Sequence, residues 1–418
     1  MPRLCWRVLS CSIVATGLAS MCSAQPRPLT WNEIRERFRG NNPNLLAGET
    51  GIQESRAIEV TAGLRPNPTL SFVADEFRIL HPNPLQPFHN SQITPVISQL
   101  FERGNKRQLR VDSARFATRI ASTDQADLER NLTFNLRDAF NRLLQAKALL
   151  EMANTNLGYY DQVLKVNQER FRAGDIAKVD LQRLELQRVQ FETDIENAQV
   201  SLRMAKIQLL ALMNDKTAVE SFDITGDFEY KETILLPQEL HQMAMDARPD
   251  LQSASTAIDK ARADNKLAWA NGSTDPTFGL EYQRTQPDNT LGLSVDIPIR
   301  IFDRNQGEKA RTSLEIRRTE QLKAGLTLGI LRDVDSAYAQ VDSVRSLLRP
   351  YRQKYLVESA EVRDTVKFAY GSGGASLLEF LDAQKSYRDT QLNYLNLIGS
   401  YLSAVNQLNL AVGREVMQ

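Results

Sequence analysis

The sequence has few residues that bind metals, with three cysteines and three histidines among 418 residues. All three cysteines, Cys5, Cys11 and Cys22, lie close to the N-terminus. An excess of charge of one sign is also missing, because 51 Lys and Arg balance 51 Asp and Glu. The composition therefore argues against a metalloenzyme and against a nucleic-acid-binding protein, which needs a positive surface.

Residues 1–24 have the pattern of an export signal. Two arginines precede an uncharged, mostly apolar run from Val8 to Met21, and the small residues Cys22 and Ala24 suit cleavage before Gln25. This run is too short for a membrane-spanning helix, which needs about 20 apolar residues. A buried N-terminal helix and a lipoprotein acylated on Cys22 are the alternatives. Cleavage after Ala24 would leave a mature chain without cysteine, which excludes disulfide bonds.

The chain contains two copies of one unit. At a constant offset of 206 residues, Pro43, Leu45, Ile52, Arg56 and Ala57 match Pro249, Leu251, Ile258, Arg262 and Ala263. Two further segments match: NPTLSF corresponds to DPTFGL, and LFERGNKRQLR to IFDRNQGEKAR. A last match, without a gap, relates Phe171, Gly174, Leu181, Leu184 and Gln187 to Phe368, Gly371, Leu378, Leu381 and Gln384. Matching blocks in the same order predict two repeats, 25–213 and 249–418, joined by a linker region at 214–248.

Long helical hairpins are the clearest signal of secondary structure. Apolar residues spaced alternately by four and three run from Leu132 to Leu157 and from Phe191 to Leu212. This is the heptad pattern of helices that pack at a shallow angle. We expect the hairpins at 105–213 and 305–412, with a kink at Pro350 in the second.

Shorter helices are expected to complete each hairpin. The returning arms, 178–213 and 377–412, are shorter than the outgoing ones. Helices at 43–65 and 249–270 have about the length needed to stack on the ends of these arms. Thr30 followed by Glu33 forms the pattern of a capping box that opens a short leading helix.

Two β-hairpins are predicted at 68–101 and 276–302, where apolar and polar residues alternate. The length of each strand is close to that of a tilted transmembrane strand, which has about 9 to 11 residues. Four strands cannot close a barrel, since the smallest barrels have about eight, so a barrel requires several copies of the chain. A small soluble sheet is the alternative. Phe101 and Phe302 suit an interfacial aromatic belt or packing where strands meet helices.

These residues resemble the TolC-like outer membrane efflux proteins. The resemblance is carried by NNPNL with AGLRPNPTLSF, QLFERGNKR, RFRAGDIAKVDLQRLELQ and FAYGSGGASLLEFLDAQKSY, and extends over essentially the whole mature chain. It implies an α+β membrane protein, a homotrimer that shares a 12-stranded transmembrane β-barrel continued by a 12-helix periplasmic α-barrel. Each chain would contribute two internal repeats, with 214–248 in an equatorial region. The location implied is the bacterial outer membrane, with a large periplasmic portion.

Members of this family are the exit ducts of tripartite pumps. The resemblance therefore implies passive efflux of drugs or metal cations, with no enzyme activity and no cofactor. The implied partners are a periplasmic adaptor (membrane fusion) protein, an inner-membrane pump of the RND or ABC type, and outer-membrane lipid, but no nucleic acid. The LRPNPTLSF block resembles the heavy-metal (cobalt–zinc–cadmium type) branch. A type I secretion duct of the same fold and a periplasmic coiled-coil adaptor are the alternatives.

Catalysis and metal binding have no candidate residues in the sequence. It contains no nucleophile elbow and no pair of histidine ligands. His81 and His89 lie in the first β-hairpin loop, where we expect solvent-exposed side chains that bind no metal. GSGGAS lacks the Lys-Ser/Thr ending of a phosphate-binding loop.

The turns at 171–180 and 368–377 are the far ends of the helical hairpins, called here the first and second tip. Gly174 and Gly371 are expected to permit the chain reversal. The residues predicted to contact an adaptor are Arg172, Gly174, Asp175, Ala177 and Val179 in the first tip, and Gly371, Ser372 and Gly373 in the second.

Glu379 and Asp382 are three residues apart and so share one helix face. The resemblance matches them to an acidic ring at the periplasmic aperture, where grouped carboxylates favour cations over anions. The sequence match of Phe171 to Gln187 with Phe368 to Gln384, which has no gap, places Gln182 and Glu185 at the equivalent positions of the first tip. A solvated helix face is the alternative for Glu379 and Asp382. Two arginines, Arg183 and Arg188, are expected to tether neighbouring hairpins through ion pairs.

Overall fold

The computed structural model describes residues 27–77, 91–231, 236–285 and 287–417. The predicted export signal with Cys22, and the two loop histidines His81 and His89, lie outside the described residues.

The described residues form nine α-helices and four strands. The helices are α1 (Trp31–Asn41), α2 (Pro43–Gly63), α3 (Lys106–Ala173), α4 (Lys178–Met213), α5 (Pro237–Ala247), α6 (Pro249–Asn271), α7 (Gln306–Pro350), α8 (Leu356–Gly371) and α9 (Leu377–Val412). The strands are β1 (Thr69–Asp75), β2 (Gln92–Leu100), β3 (Thr277–Thr285) and β4 (Asp288–Asp296). A 3₁₀ turn, Val219–Ser221, follows α4, and a π-helical turn, Tyr351–Tyr355, joins α7 to α8.

Local capping explains where the short helices begin. The predicted capping box is confirmed at α1, where the backbone N–H of Thr30 donates to Glu33 Oε2 at 2.9 Å and the Thr30 hydroxyl accepts from the Glu33 N–H. At α2, Asn42 Oδ1 accepts from the backbone N–H of Asn44 at 3.0 Å and of Leu45 at 3.2 Å. These bonds satisfy N–H groups that a helix cannot pair internally.

The stretch 214–248, expected as a linker without strong periodicity, contains α5. Proline occupies the first helical position, Pro237, where its missing N–H costs nothing. Leu240 and Ala244 lie one turn apart and are fully buried. With only 11 residues, this helix depends on packing against its neighbours more than on a long repeating pattern.

The long helices begin in the same way in both halves. The residues before α3 and α7, Asn105 and Asn305, adopt left-handed conformations with φ of 56° and 61°. α3 has 68 residues, which at about 1.5 Å per residue makes it roughly 100 Å long. At Pro350 the second long helix continues through the π-helical turn, because proline cannot donate the next helical hydrogen bond. None of the helices in the described part of the chain combines the length and the hydropathy of a membrane span.

The helices form a wall four columns wide. Near the tips α3 contacts α4 on one side and α9 on the other, and α9 contacts α8. Near the sheet α3 contacts α2 and α6, and α6 contacts α7. Thus α2 and α4 both pack along α3 and form one outer column, while α6 and α9 both pack along α3 and α7 and form an inner one. These contacts agree with the predicted end-to-end arrangement. In the described part of the chain, the outer columns, α2 with α4 and α7 with α8, each have an edge against which no further long helix packs.

The four strands continue the wall as one antiparallel sheet in the order β1-β2-β3-β4. Its register pairs Leu70 with Ile97, Ile97 with Leu280 and Leu280 with Leu293. These side chains belong to one face of the sheet, and all four are exposed, Leu293 by 84%. The sheet therefore has an apolar face that the described chain leaves uncovered, and unpaired edges at β1 and β4.

Two apolar clusters fix the short helices against the long ones. Ile34 and Phe38 of α1 pack with residues of α3 and α4, including Phe140 and Leu209. The second cluster joins α5 to α7 and α9 and contains the fully buried side chain of Tyr401. Each half of the chain thus has its core at the same height, near the ends of the returning arms.

A buried ion pair holds the sheet to the helical wall. Lys106, which is 3% exposed, places Nζ 2.6 Å from Asp275 Oδ2 and 2.9 Å from the Ser273 carbonyl oxygen. The backbone N–H of Arg103 donates to Asp275 Oδ1 at 2.8 Å. The pair therefore joins the segment after β2 to the segment before β3.

The two aromatic residues at the hairpin ends differ in their surroundings. Phe101 packs edge-on against Phe278 with ring centroids 5.3 Å apart, so it contacts a strand where sheet and helices meet. Phe302 is 90% exposed.

We expect Lys106→Met to lower the free energy of unfolding by about 3 kcal/mol, because Asp275 would lose its cation in a buried position. Urea unfolding in detergent, followed by circular dichroism, measures this change. Arg318→Met, which removes an exposed ion pair with Glu315, is the matched control and should leave the midpoint unchanged. Equal effects of the two substitutions would contradict a structural role for Lys106.

Candidate functional site

The first tip reverses the chain at a left-handed glycine. α3 ends at Ala173, and Gly174 follows with φ of 86°. The Gly174 N–H donates to the Phe171 carbonyl at 3.0 Å, and the Asp175 N–H to the Arg170 carbonyl at 2.8 Å. These bonds satisfy carbonyl groups at the end of the helix. The predicted role of Gly174 in the reversal is confirmed.

The second tip uses a different glycine from the one predicted. Gly371 is the last residue of α8, and the left-handed conformation belongs to Gly373, with φ of 78°. The Gly374 N–H closes the turn by donating to the Ala369 carbonyl at 2.8 Å. The expectation that Gly371 permits the reversal is wrong, because three glycines lie close together here and the helix extends through the first of them.

The returning helices change which residues of the two tips are equivalent. α4 begins at Lys178 and α9 at Leu377, and both have 36 residues, so their offset is 199 residues. The gapless sequence match used an offset of 197. By helix position, the counterpart of Glu379 is therefore Asp180, and that of Asp382 is Arg183. Gln182 and Glu185 lie two positions farther along α4.

Glu379 caps the helix on which it lies. Its Oε2 accepts from the Ser376 backbone N–H at 2.7 Å and from the Ser376 hydroxyl at 2.8 Å. The backbone bond, followed by the hydroxyl bond, lowers the pKa of Glu379 below its ordinary value, so it is a carboxylate at neutral pH. The N-cap of α4, Ala177, offers no side-chain acceptor.

The predicted site residues are exposed at these tips. Asp382, Gln182 and Glu185 lie within the first turns of α9 and α4 with exposed side chains, as does Glu379. The residues predicted to contact an adaptor, from Arg172 to Val179 and from Gly371 to Gly373, are exposed as well, apart from the half-buried Ile176, which was not among them. Exposed apolar side chains accompany them: Phe171, Val179, Phe368 and Leu378.

A buried aromatic cluster lies behind the tips and joins the two helical hairpins. Tyr160 stacks on Phe191, and Tyr370 stacks on Phe380. The Tyr370 hydroxyl donates to Asn167 Oδ1 at 3.0 Å, a buried bond from α8 to α3. Sequence reasoning missed this bond, although Asn167 follows Tyr160 and Val163 at core spacing on α3, where a polar residue needs a partner.

Cationic side chains make further contacts between the hairpins. The guanidinium of Arg363 lies 5.0 Å from the ring centroid of Tyr159 and 4.0 Å from that of Tyr387. Arg388 of α9 approaches Asp194 of α4 at 3.4 Å. Both contacts cross from one helical hairpin to the other, so they hold the two tips together.

The two arginines expected to act as tethers have partners inside the first hairpin. Arg188 Nε donates to Asp161 Oδ1 at 2.6 Å, which joins α4 to α3. Arg183 approaches Asp180 of its own helix at 4.0 Å. Within one chain, then, neither of them joins the first hairpin to the second.

The described ranges, with their gaps at 78–90, 232–235 and 286, contain no group of three or more His, Cys, Asp or Glu that could hold a metal ion. What the tips provide is two exposed turns, an acidic patch on the second, and an aromatic cluster behind them.

Comparison with known proteins places these features in one family. The family model of outer membrane efflux proteins matches residues 34–215 and 240–414, which together include most of the chain. The chain is 21% identical to the cobalt-zinc-cadmium resistance protein CzcC of Cupriavidus metallidurans, over 94% of this chain and 93% of that protein. It is 24% identical to the pyoverdine export outer membrane protein OpmQ of Pseudomonas putida, over 94% and 90%.

The fold is shared with solved structures as well. A crystal structure of CusC, described as undergoing conformational changes that accompany folding and transmembrane channel formation, superimposes with a TM-score of 0.74. The two chains are 18% identical, and the superposition covers 92% of each.

Gly373→Ala should lower the free energy of unfolding by about 1 kcal/mol, because an alanine is strained at a positive φ. Gly371→Ala should be neutral or slightly stabilising, since alanine is the better helix former and a Cβ would meet no atom within 4 Å at either position. Denaturant unfolding of the two variants compares these positions directly. A greater loss at Gly371 would contradict the assignment of the turn.

Proposed function

The chain belongs to the outer membrane efflux protein family, and we propose that three copies of it assemble into the exit duct of a tripartite efflux system for metal cations. The protein lies in the outer membrane with a periplasmic portion and serves efflux. The trimer, the closed barrel, the gate and the cargo are our proposal. The observation that supports it most directly is the uncovered apolar face of the four-stranded sheet.

A barrel shared by three chains would remove the free edges of the sheet. Edge strands carry unpaired N–H and C=O groups, which a hydrocarbon environment does not tolerate. Pairing β1 of one chain with β4 of the next would give a 12-stranded barrel and turn the face of Leu70, Leu280 and Leu293 to lipid.

The helical wall would close in the same way into a 12-helix tunnel. Its two outer columns expose many apolar side chains, which a neighbouring copy would cover. On α4 these are Leu186, Val189, Val200 and Met204, and on α7 and α8 they are Leu322, Leu347, Val357 and Val362.

The domain arrangement is proposed as two repeats, 25–213 and 249–418, around an equatorial region at 214–248. The offset of 206 residues also relates the first residues of α1 and α5, Trp31 and Pro237. This supports extending the second repeat back to Pro237.

We propose that the tips form the periplasmic aperture. Glu379 and Asp382 would attract cations there, with Glu185 and Gln182 of the first tip nearby. The exposed turns and their apolar side chains suit docking of a periplasmic adaptor that connects the duct to an RND or ABC pump. The duct itself would be passive, with transport energy supplied by the pump and no catalytic step in this chain.

The relative CzcC, named for cobalt, zinc and cadmium resistance, supports divalent metal cations as the cargo. OpmQ, named for pyoverdine export, supports a siderophore or drug instead. A type I secretion duct has the same geometry. A periplasmic adaptor without a membrane domain is disfavoured because it would leave the apolar sheet face in water.

Disulfide cross-linking tests the trimer, since all native cysteines lie within residues 1–24. Phe72→Cys on β1 would be combined in turn with Leu291→Cys, Leu293→Cys or Val295→Cys on β4. We expect the pair whose two cysteines lie opposite each other between neighbouring chains to give covalent trimers on mild oxidation. Phe72→Cys alone is the control and should give dimers at most. Absence of trimers with every pair, together with a monomer mass in detergent, would refute the shared barrel.

Charge removal tests the gate. Glu379→Gln with Asp382→Asn should lower the cation-over-anion permeability ratio by about twofold or more, because the local negative potential falls. Glutamine keeps the capping box intact, so the tip should stay folded. The reversal potential of the purified channel in planar bilayers under a KCl gradient gives the ratio. Glu151→Gln, an exposed glutamate on α3, is the control; an equal ratio in all three proteins would exclude these residues from the gate.

A further inference from the structure

A cavity of about 470 Å³ lies far from the tips, between α1, α3, α9 and the segment after α9. Its volume falls within the roughly 300–1,000 Å³ of small-molecule sites. Five arginines and two glutamates line it, so its charge is positive. Neither the proposed transport path nor the proposed gate uses this cavity.

Several polar groups in the cavity have no partner among the described residues. Arg35 Nε and Trp31 Nε1 are buried and have no hydrogen-bond acceptor. Asn141, which is 7% exposed, also lines the cavity, and no hydrogen bond occupies its side chain in the described part of the structure. Buried polar groups are nearly always hydrogen-bonded, and the Arg35 guanidinium and the Asn141 amide both line the cavity, so they are donors available to a ligand with acceptor atoms.

Arg137 contributes a half-buried cation to the same cavity. Its guanidinium lies 4.5 Å from the ring centroid of Trp31 and 5.7 Å from that of Phe140, and it forms no ion pair within hydrogen-bond distance among the described residues. Burial lowers the pKa of Arg137; Glu415 opposes this shift and the charge of Arg35 adds to it. A buried charge beside a like charge is unfavourable unless an anion offsets both.

The other cations of the cavity already have partners or face solvent. Arg39 pairs with Glu129, and Arg130 pairs with Asp127 at 2.6 Å. Arg414 is exposed at the rim. The open positions for an anion are therefore at Arg35 and Arg137, which approach the cavity from α1 and α3, with the Asn141 side chain one turn from Arg137.

We propose that this cavity binds a carboxylate group of a short peptide or small molecule, held by the guanidiniums of Arg35 and Arg137 with the Asn141 amide as a further donor. Guanidinium groups match the planar, two-oxygen geometry of a carboxylate. The aromatic rings of Trp31 and Phe134, which both line the cavity, give the ligand an apolar wall. The size of the cavity suits a side chain or a few residues rather than a folded domain.

Trp31 provides a spectroscopic reporter for this site. Trp6 lies in the predicted export signal, so Trp269→Phe leaves Trp31 as the sole tryptophan of the exported protein. The full chain with this substitution, purified in detergent, would be titrated with the capped peptide acetyl-Ala-Glu-Ala-amide. We expect a saturable change in Trp31 emission with half-saturation at or below about 1 mM.

Matched peptides and variants decide the result. Acetyl-Ala-Gln-Ala-amide lacks the charge and should give no saturable change. In the same background, Arg35→Gln and Arg137→Gln should each raise the half-saturating concentration at least about tenfold, because each removes a charge-assisted hydrogen bond, while Arg318→Gln on α7 should not change it. Arg35→Gln keeps the test valid if the more buried Arg137 variant fails to fold.

Three outcomes of the peptide titrations would overturn the proposal. They are no saturable response to the Glu peptide up to about 20 mM, an equal response to the Gln peptide, or unchanged binding in the Arg35 variant. Inorganic phosphate, titrated in parallel, distinguishes the class of anion. Tighter binding of phosphate that displaces the peptide would assign the cavity to phosphate groups and refute a carboxylate site.

Discussion

An open sheet with one apolar face is the constraint on which the rest of this structure depends. The strand order β1-β2-β3-β4 and the helix order α2, α3, α6, α7 correspond, because each strand joins directly to the helix at the same position. The free edges of the sheet are therefore continuous with the free edges of the helical wall. The described residues bury the interior of this wall and leave its two sides exposed, and exposed strand edges and apolar patches of this kind are typical of surfaces that bind a partner.

Much of this fold could be predicted from sequence because its signals are local or periodic. Heptad spacing identifies helices in which buried residues recur at every turn. The capping box of Thr30 and Glu33 depends on two residues that are only three positions apart. The alternation in β3 and β4 survives because one face stays exposed and apolar. The short α5 was not predicted, since its two buried residues, Leu240 and Ala244, contact other helices and leave only a weak pattern in the sequence.

The candidate site was harder to predict because small shifts in register change which residues are equivalent. A glycine pattern shows that a turn occurs at 371–374 but not which glycine takes the positive φ. Because Gly373 and not Gly371 takes the positive φ, equivalent positions of the two tips are 199 residues apart instead of 197. Glu379 therefore corresponds to Asp180. The contacts from Tyr370 to Asn167 and from Arg363 to Tyr159 join residues about 200 positions apart. No local pattern identifies such partners, and the same applies to the arginines of the cavity between α1, α3 and α9.

The difference between the two tips has a physical consequence for any opening motion. The N-cap of α9, Ser376, and Glu379 are bonded to each other's backbone, whereas the N-cap of α4, Ala177, makes no side-chain hydrogen bond. An N-cap is worth about 1 kcal/mol, so the first turn of α4 unfolds locally more easily than that of α9. The cluster of Tyr160, Tyr370 and Phe380 lies behind both turns and resists separation of the hairpins. On this ground we expect any movement at this end to begin in the first tip, while the Ser376–Glu379 capping box holds the first turn of α9.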